Sequence, residues 1–198
     1  MVDPRSATRF GYRSLFVAFA ALILFFRLLP LSSGNSPWPL PTAVLEKMPD
    51  WLYPYEWPGQ DTLLCLAIVW VLRRPDFIPA LMVACVFFLD DLLSMRPPGL
   101  WALIVLVGTE FLRSRELATR DLPFLAEWLM AGGVIAAMTI ANRLVLALLM
   151  IPQVSLGPTL LQMALTILLY PLLAYAMQIA FDLRRAATGE VDEFGQRI

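Results

Sequence analysis

The chain has 198 residues, of which 59% are hydrophobic and 16% charged, with a mean hydropathy of +0.70. Soluble domains average about 45–50% apolar and about 25% charged residues, so the polar surface here is too small to cover a water-soluble globule, and lipid must solvate most side chains. The net charge of −1, with charges clustered between apolar runs, argues against a nucleic-acid-binding face. The absence of histidine removes the usual general base and the commonest metal ligand.

About 20 apolar residues cross a hydrocarbon core, and the chain offers six candidate runs. The first, Ser14 to Leu31, follows Arg5, Arg9 and Arg13 and is broken only by Arg27 and Pro30. It is too long for a signal-peptide core and no A-x-A site follows it, so it reads as a membrane helix. From Ser32 to Gln60 the composition changes to six prolines, three tryptophans and two tyrosines. Proline forbids a long helix there, apart from a short one around Thr42 to Met48. The rings of Trp38, Trp51, Tyr53, Tyr55 and Trp57 suit the headgroup level. Residues 32–60 are therefore expected to form an interfacial loop, with an aromatic binding cleft as the alternative.

The second run, Asp61 to Leu72, is short and can span only with Trp57 and Pro58 in one interface and Arg73 and Arg74 in the other. The third runs from Phe77 to Met95 and contains Asp90 and Asp91. The fourth, Gly99 to Leu112, opens after Pro97 and Pro98, as helices favour. The fifth, Leu122 to Met150, must tilt or turn into a surface helix after Asn142, because one helix of that length is roughly 43 Å long. The sixth, Ser155 to Phe181, contains Pro171, where a kink is expected. Cys65 and Cys85 lie inside apolar runs without CxxC spacing and read as small buried hydrophobes. The expected organisation is all-α and polytopic, with a single transmembrane domain over residues 1–183 and a short polar tail over 184–198.

With the N-terminus in the cytoplasm and six crossings, eleven Lys and Arg residues fall inside and only Lys47 and Arg96 outside. This bias predicts six spans with both termini cytoplasmic and the 32–60 loop periplasmic.

Arg27, Asp90, Asp91 and Arg143 lie within apolar runs, where charge is costly. At about 1.5 Å per residue, all four belong to the outer half of the membrane, on three helices. Arg27 and Arg143 either snorkel or pair with the carboxylates. Consecutive helical residues diverge by about 100°, so one aspartate is expected to face the bundle and the other the rim. Asp91 is expected to be the packed one, near Arg27 or Arg143. Glu110 and Glu127 read as interface charges near Arg113 and Arg115. The two aspartates are consecutive on one helix, unlike the two-helix pair of intramembrane aspartyl proteases. There is no G-x-S-x-G elbow, and H-E-x-x-H requires histidine. No nucleophile, base and oxyanion site assembles from these residues, and a non-enzymatic chain without cofactor or metal is expected.

The stretch W-V-L-R-R-P-D-F-I-P from Trp70, followed by F-F-L-D-D-L-L-S-M-R-P-P-G-L-W-A-L, resembles the MreD family of the bacterial rod-shape system. Arg74, Pro75, Asp76 and Pro79 match its R-P-D-x-x-P motif. Asp91, Leu92, Leu93, Pro98 and Gly99 match its D-L-L and P-G pattern. The sequence departs at Phe87 and Phe88, where the family often has Gly and Leu. The detailed match spans about 45 residues, from Trp70 to Glu116, and its motifs are short but ordered.

The resemblance implies a scaffold of the inner membrane that binds MreC and works with MreB, RodA and a class B penicillin-binding protein in peptidoglycan synthesis. It also implies a fold like that of the substrate-binding subunits of energy-coupling-factor transporters. Arg27, Arg74, Asp76, Asp90, Asp91, Pro98, Gly99 and Arg143 are the candidate structural or partner-binding residues, with lipids as further contacts and no nucleic acid. Two other readings stand beside this one: a vitamin-type substrate-binding subunit and an intramembrane enzyme. Fold alone does not separate them.

Overall fold

The computed structural model describes residues 4–28, 61–115, 123–153 and 155–181. The 32–60 loop with its five named aromatics and the 184–198 tail lie outside the described residues. Six α-helices form the described part, with no strand among them: α1 Pro4–Leu28, α2 Thr62–Arg73, α3 Ala80–Leu93, α4 Leu100–Ser114, α5 Phe124–Leu148 and α6 Leu156–Phe181. A 3-10 turn, Pro75–Phe77, joins α2 to α3. The chain is an all-α membrane protein.

Successive helices alternate in direction, as the contacts between their ends establish. Arg13 Nε in the first half of α1 donates to the Phe77 carbonyl beyond the end of α2, whereas Arg27 near the end of α1 reaches Asp90 near the end of α3. These two levels are called here the Arg73 end and the Arg27 end.

Three helices are long and apolar enough to cross a membrane, namely α1 from Phe10, α5, and α6 to Ala180. The other three have 12, 14 and 15 residues, or roughly 18 to 22 Å at 1.5 Å per residue. That is shorter than a hydrocarbon core of about 30 Å. Of these, α2 is apolar on every side and is buried from Leu63 through Arg73, as an all-round hydrophobic helix must be. It packs against α6, α4 and α1, so it meets protein where the sequence alone places it against lipid.

Trp70 of α2 is fully buried beneath Phe16 and Tyr12 of α1, with ring centroids 5.7 and 6.3 Å away, and Tyr12 stacks on Phe77 at 4.6 Å. Phe87, at one of the departures from the family pattern, is also fully buried. The α3–α4 pair makes the most extensive helix association among the described residues. Close approach elsewhere uses glycine: a Cβ at Gly108 of α4 would lie 1.9 Å from Met138 Cε of α5. Association in lipid depends on such packing because tails are as apolar as leucine.

Helix α5 is continuous past Asn142 to Leu148, so it does not break into a surface segment. Helix α6 continues through Pro171. A proline there cannot donate to the carbonyl four residues earlier. That carbonyl belongs to Ile167, and it instead accepts the indole N–H of Trp128 from α5 at 2.9 Å. The proline defect in one helix is thus satisfied by its neighbour, as backbone groups in lipid require.

Candidate functional site

The polar residues collect at two levels of the bundle. At the Arg27 end, Asp90 is fully buried and accepts from Arg27 Nη1 at 2.7 Å, while Arg96 Nη1 lies 4.0 Å from its other oxygen. The hydroxyl of Ser94 adds a 3.4 Å contact. The expectation that Asp91 would take the arginine is therefore corrected: Asp90 holds Arg27. The expectation that one aspartate would face the rim is corrected as well, because both are fully buried. Helix α3 lies between α1 and α4 at this level, so both of its carboxylate-bearing sides meet protein.

Asp91 has a different role. Its Oδ2 accepts the backbone N–H groups of Gly99 at 3.0 Å and Ala102 at 3.1 Å. These belong to the first turn of α4, where N–H groups have no partner within the helix and where a negative charge is favoured. The turn between them contains Pro97 and Pro98, and Gly99 adopts φ +85°, a conformation that glycine enters without strain. The resemblance motif D-L-L…P-G thus works here as a clasp joining α3 to α4.

The other residues nominated from sequence lie apart from this pair. Arg143 of α5 donates to Thr159 Oγ1 of α6 at 2.6 Å, and its backbone carbonyl accepts from Gln153 at 3.0 Å. Arg74 lies at the other end, with its guanidinium 5.9 Å from the centroid of the Phe77 ring. Asp76 occupies the 3-10 turn; its side chain is outside the described set. The eight nominated residues therefore do not converge on one place.

Sequence reasoning missed two groups. One is a buried cluster at the Arg73 end, where Tyr170 Oη donates to Glu127 at 2.6 Å, Arg73 Nε lies 3.6 Å from the same oxygen, and Arg73 Nη1 donates to Gln178 at 3.2 Å. Arg73 and Glu127 are both buried rather than interfacial, because the short α2 ends inside the bundle and brings Arg73 with it. Glu110 does pair with Arg113, one turn along α4.

The second is Asp61, the residue preceding α2. Its backbone N–H donates to Thr166 Oγ1 at 3.1 Å. Thr166 lies ten residues into α6, or roughly 15 Å along it, so α2 begins about midway along its neighbour. Beyond it, toward the Arg27 end, α4, α5 and α6 line a partly open cavity of about 360 Å³. A second cavity, of about 310 Å³, is lined by Arg27, Asp90 and Arg96. No signal in the run Asp61 to Leu72 marks the first cavity, because it arises from the mismatch in length between α2 and its neighbours. Among the described residues, no group of three His, Cys, Asp or Glu is placed to hold a metal ion.

No family model, curated protein or solved structure matches the chain.

Proposed function

We propose that this chain is a non-enzymatic scaffold of the MreD type, acting in the bacterial inner membrane by binding MreC and supporting side-wall peptidoglycan synthesis. The observation that carries this reading is the use made of the resembling residues. Arg74, Pro75, Asp76 and Pro79 precede α3, and Asp91, Pro98 and Gly99 close the turn after it. The two motifs bracket one helix, and Asp91 fastens it to the next. Motif order and spacing therefore coincide with a structural unit.

Three of the six alternating helices are long and apolar enough to cross a membrane, and this reading takes the three shorter ones as crossings too. The basic bias then places both termini in the cytoplasm and the Arg27 end outside. In this orientation the two ends of α3 are available to partners on both sides. Recognition in lipid requires close packing or polar contact, and the cavity holding Arg27, Asp90 and Arg96 supplies a polar rim for the transmembrane helix of MreC or its adjoining outer segment. MreB, RodA and the class B penicillin-binding protein would join through the same assembly.

The test is co-expression with the MreC of the same organism, followed by purification in mild detergent through a tag on either protein. A stoichiometric complex is expected. Failure to co-purify, together with saturable vitamin binding by this chain alone, would replace the scaffold with a carrier subunit.

A further inference from the structure

The 3-10 turn between α2 and α3 draws three arginines from separate parts of the chain to two consecutive residues. Arg13 Nε of α1 donates to the Phe77 carbonyl at 3.2 Å, and Arg113 Nη2 of α4 donates to the next carbonyl, that of Ile78. Arg74, at the head of the turn, holds its guanidinium 5.9 Å from the centroid of the Phe77 ring. Like charges gathered beside an apolar layer repel one another more than they would in water, because the local dielectric is lower.

Counter-charge reaches one of the three. Arg113 is paired with Glu110, one turn earlier on α4. Among the described residues, neither Arg13 nor Arg74 takes part in an ion pair, and Arg74 makes no side-chain hydrogen bond. Arg13 commits Nε alone. Both side chains are partly exposed, so the remaining N–H groups of two guanidinium forks can meet a ligand. Such planar forks match the oxygens of a phosphate. Two positive charges without a carboxylate also favour a ligand of net negative charge over a zwitterion, whose ammonium group they would repel.

Helix α3 indicates what carries the phosphate. It has 14 residues, roughly 21 Å at 1.5 Å per residue, and lies beside the 25-residue α1. Its Leu81, Cys85, Phe88 and Leu92 are exposed at helical spacing, a strip that meets acyl chains. A hydrocarbon layer of about 30 Å must thin locally to fit so short a helix. A head group beside the start of α3 is thereby drawn down to the level of the turn, where Arg13 and Arg74 stand. Basic recesses between helices at this depth are where anionic head groups bind.

We propose that the turn between α2 and α3 is the head-group site of an anionic phospholipid, with the phosphate held by Arg13 and Arg74 and an acyl chain laid along the exposed strip of α3. The lipid belongs to the leaflet at the Arg73 end. The site depends neither on the orientation of the chain nor on MreC. Free inorganic phosphate shares the recognised chemistry, and the test separates the two.

The full chain, purified in mild detergent, is titrated with phosphatidylglycerol or with phosphatidylcholine of matched acyl chains, and bound lipid is counted by native mass spectrometry. Preferential retention of phosphatidylglycerol is expected. Arg13→Gln and Arg74→Gln should each weaken that retention about five-fold, and the double variant should lose the preference. Arg74 has no hydrogen bond in the turn to lose, so Arg74→Gln reports on the lipid rather than on packing. Arg74→Lys, which keeps the charge, should keep most of the preference. Displacement of the lipid by inorganic phosphate would leave the arginines as a phosphate site and overturn the lipid as its occupant. Equal retention of both lipids, or retention unchanged in both single glutamine variants, overturns the proposal.

Discussion

Asp90 and Asp91 are neighbours in the chain and are both fully buried, yet they support the fold in different ways. Asp90 is the buried half of an interhelical ion pair whose Arg27 side chain is 38% exposed, so its removal forfeits a charge-assisted hydrogen bond, about 1.5–3 kcal/mol, and leaves no buried charge behind. Asp90→Ala is expected to lower stability in detergent by that order, and the double variant with Arg27→Ala should be less than additive by about 1–3 kcal/mol. Thermal unfolding of the four members of the cycle measures this. Asp91→Ala removes two capping hydrogen bonds and is expected to cost about 0.5–2 kcal/mol. Asp91→Asn, whose amide oxygen still accepts, should recover most of that loss. Neither change should depend on Arg27. The depth of these residues was legible from residue counts along the apolar runs, and so was the presence of an arginine at matching depth. Which carboxylate faced it was not, since periodicity gives the angle between two side chains and leaves open which helices lie on either side.

At the scale of the element, Pro171 and Trp128 show why helix positions were easier to read than helix contacts. The proline in the sixth run was visible in the sequence, and a kink was the expected consequence. Its partner lies on another helix, 43 positions earlier in the chain (171 − 128), with no sequence signal linking them. Trp128→Phe leaves the Ile167 carbonyl without its donor and is expected to cost about 1–3 kcal/mol. In a Pro171→Ala background, where the helix can again supply its own N–H, the same change should cost clearly less. Equal costs in both backgrounds would mean that the indole contact does not compensate for the proline. The short α2 teaches the same lesson. Its apolar run was plain, but its enclosure by protein, and with it the buried Arg73–Glu127–Tyr170 cluster, follows only from where the longer helices pack.

For the whole molecule, the all-α membrane architecture follows from composition and run length, whereas direction in the membrane rests on charge bias. In a Cys65→Ala, Cys85→Ala background, a cysteine replacing Met150 at the Arg27 end should react with a membrane-impermeant thiol reagent added to intact cells. One replacing Arg115 at the Arg73 end should stay protected until the cells are permeabilised. The opposite pattern would invert the orientation and move the eleven basic residues outside.

The scaffold reading is tested most directly in the organism that makes this chain. Cells depleted of it are followed by microscopy and by the incorporation of labelled cell-wall precursor along the side wall. Depletion is expected to round the cells and disperse side-wall incorporation, and re-expression of the wild-type chain should restore both. Cells that keep their shape and their pattern of wall insertion after the chain has gone would contradict a role in the rod-shape machinery.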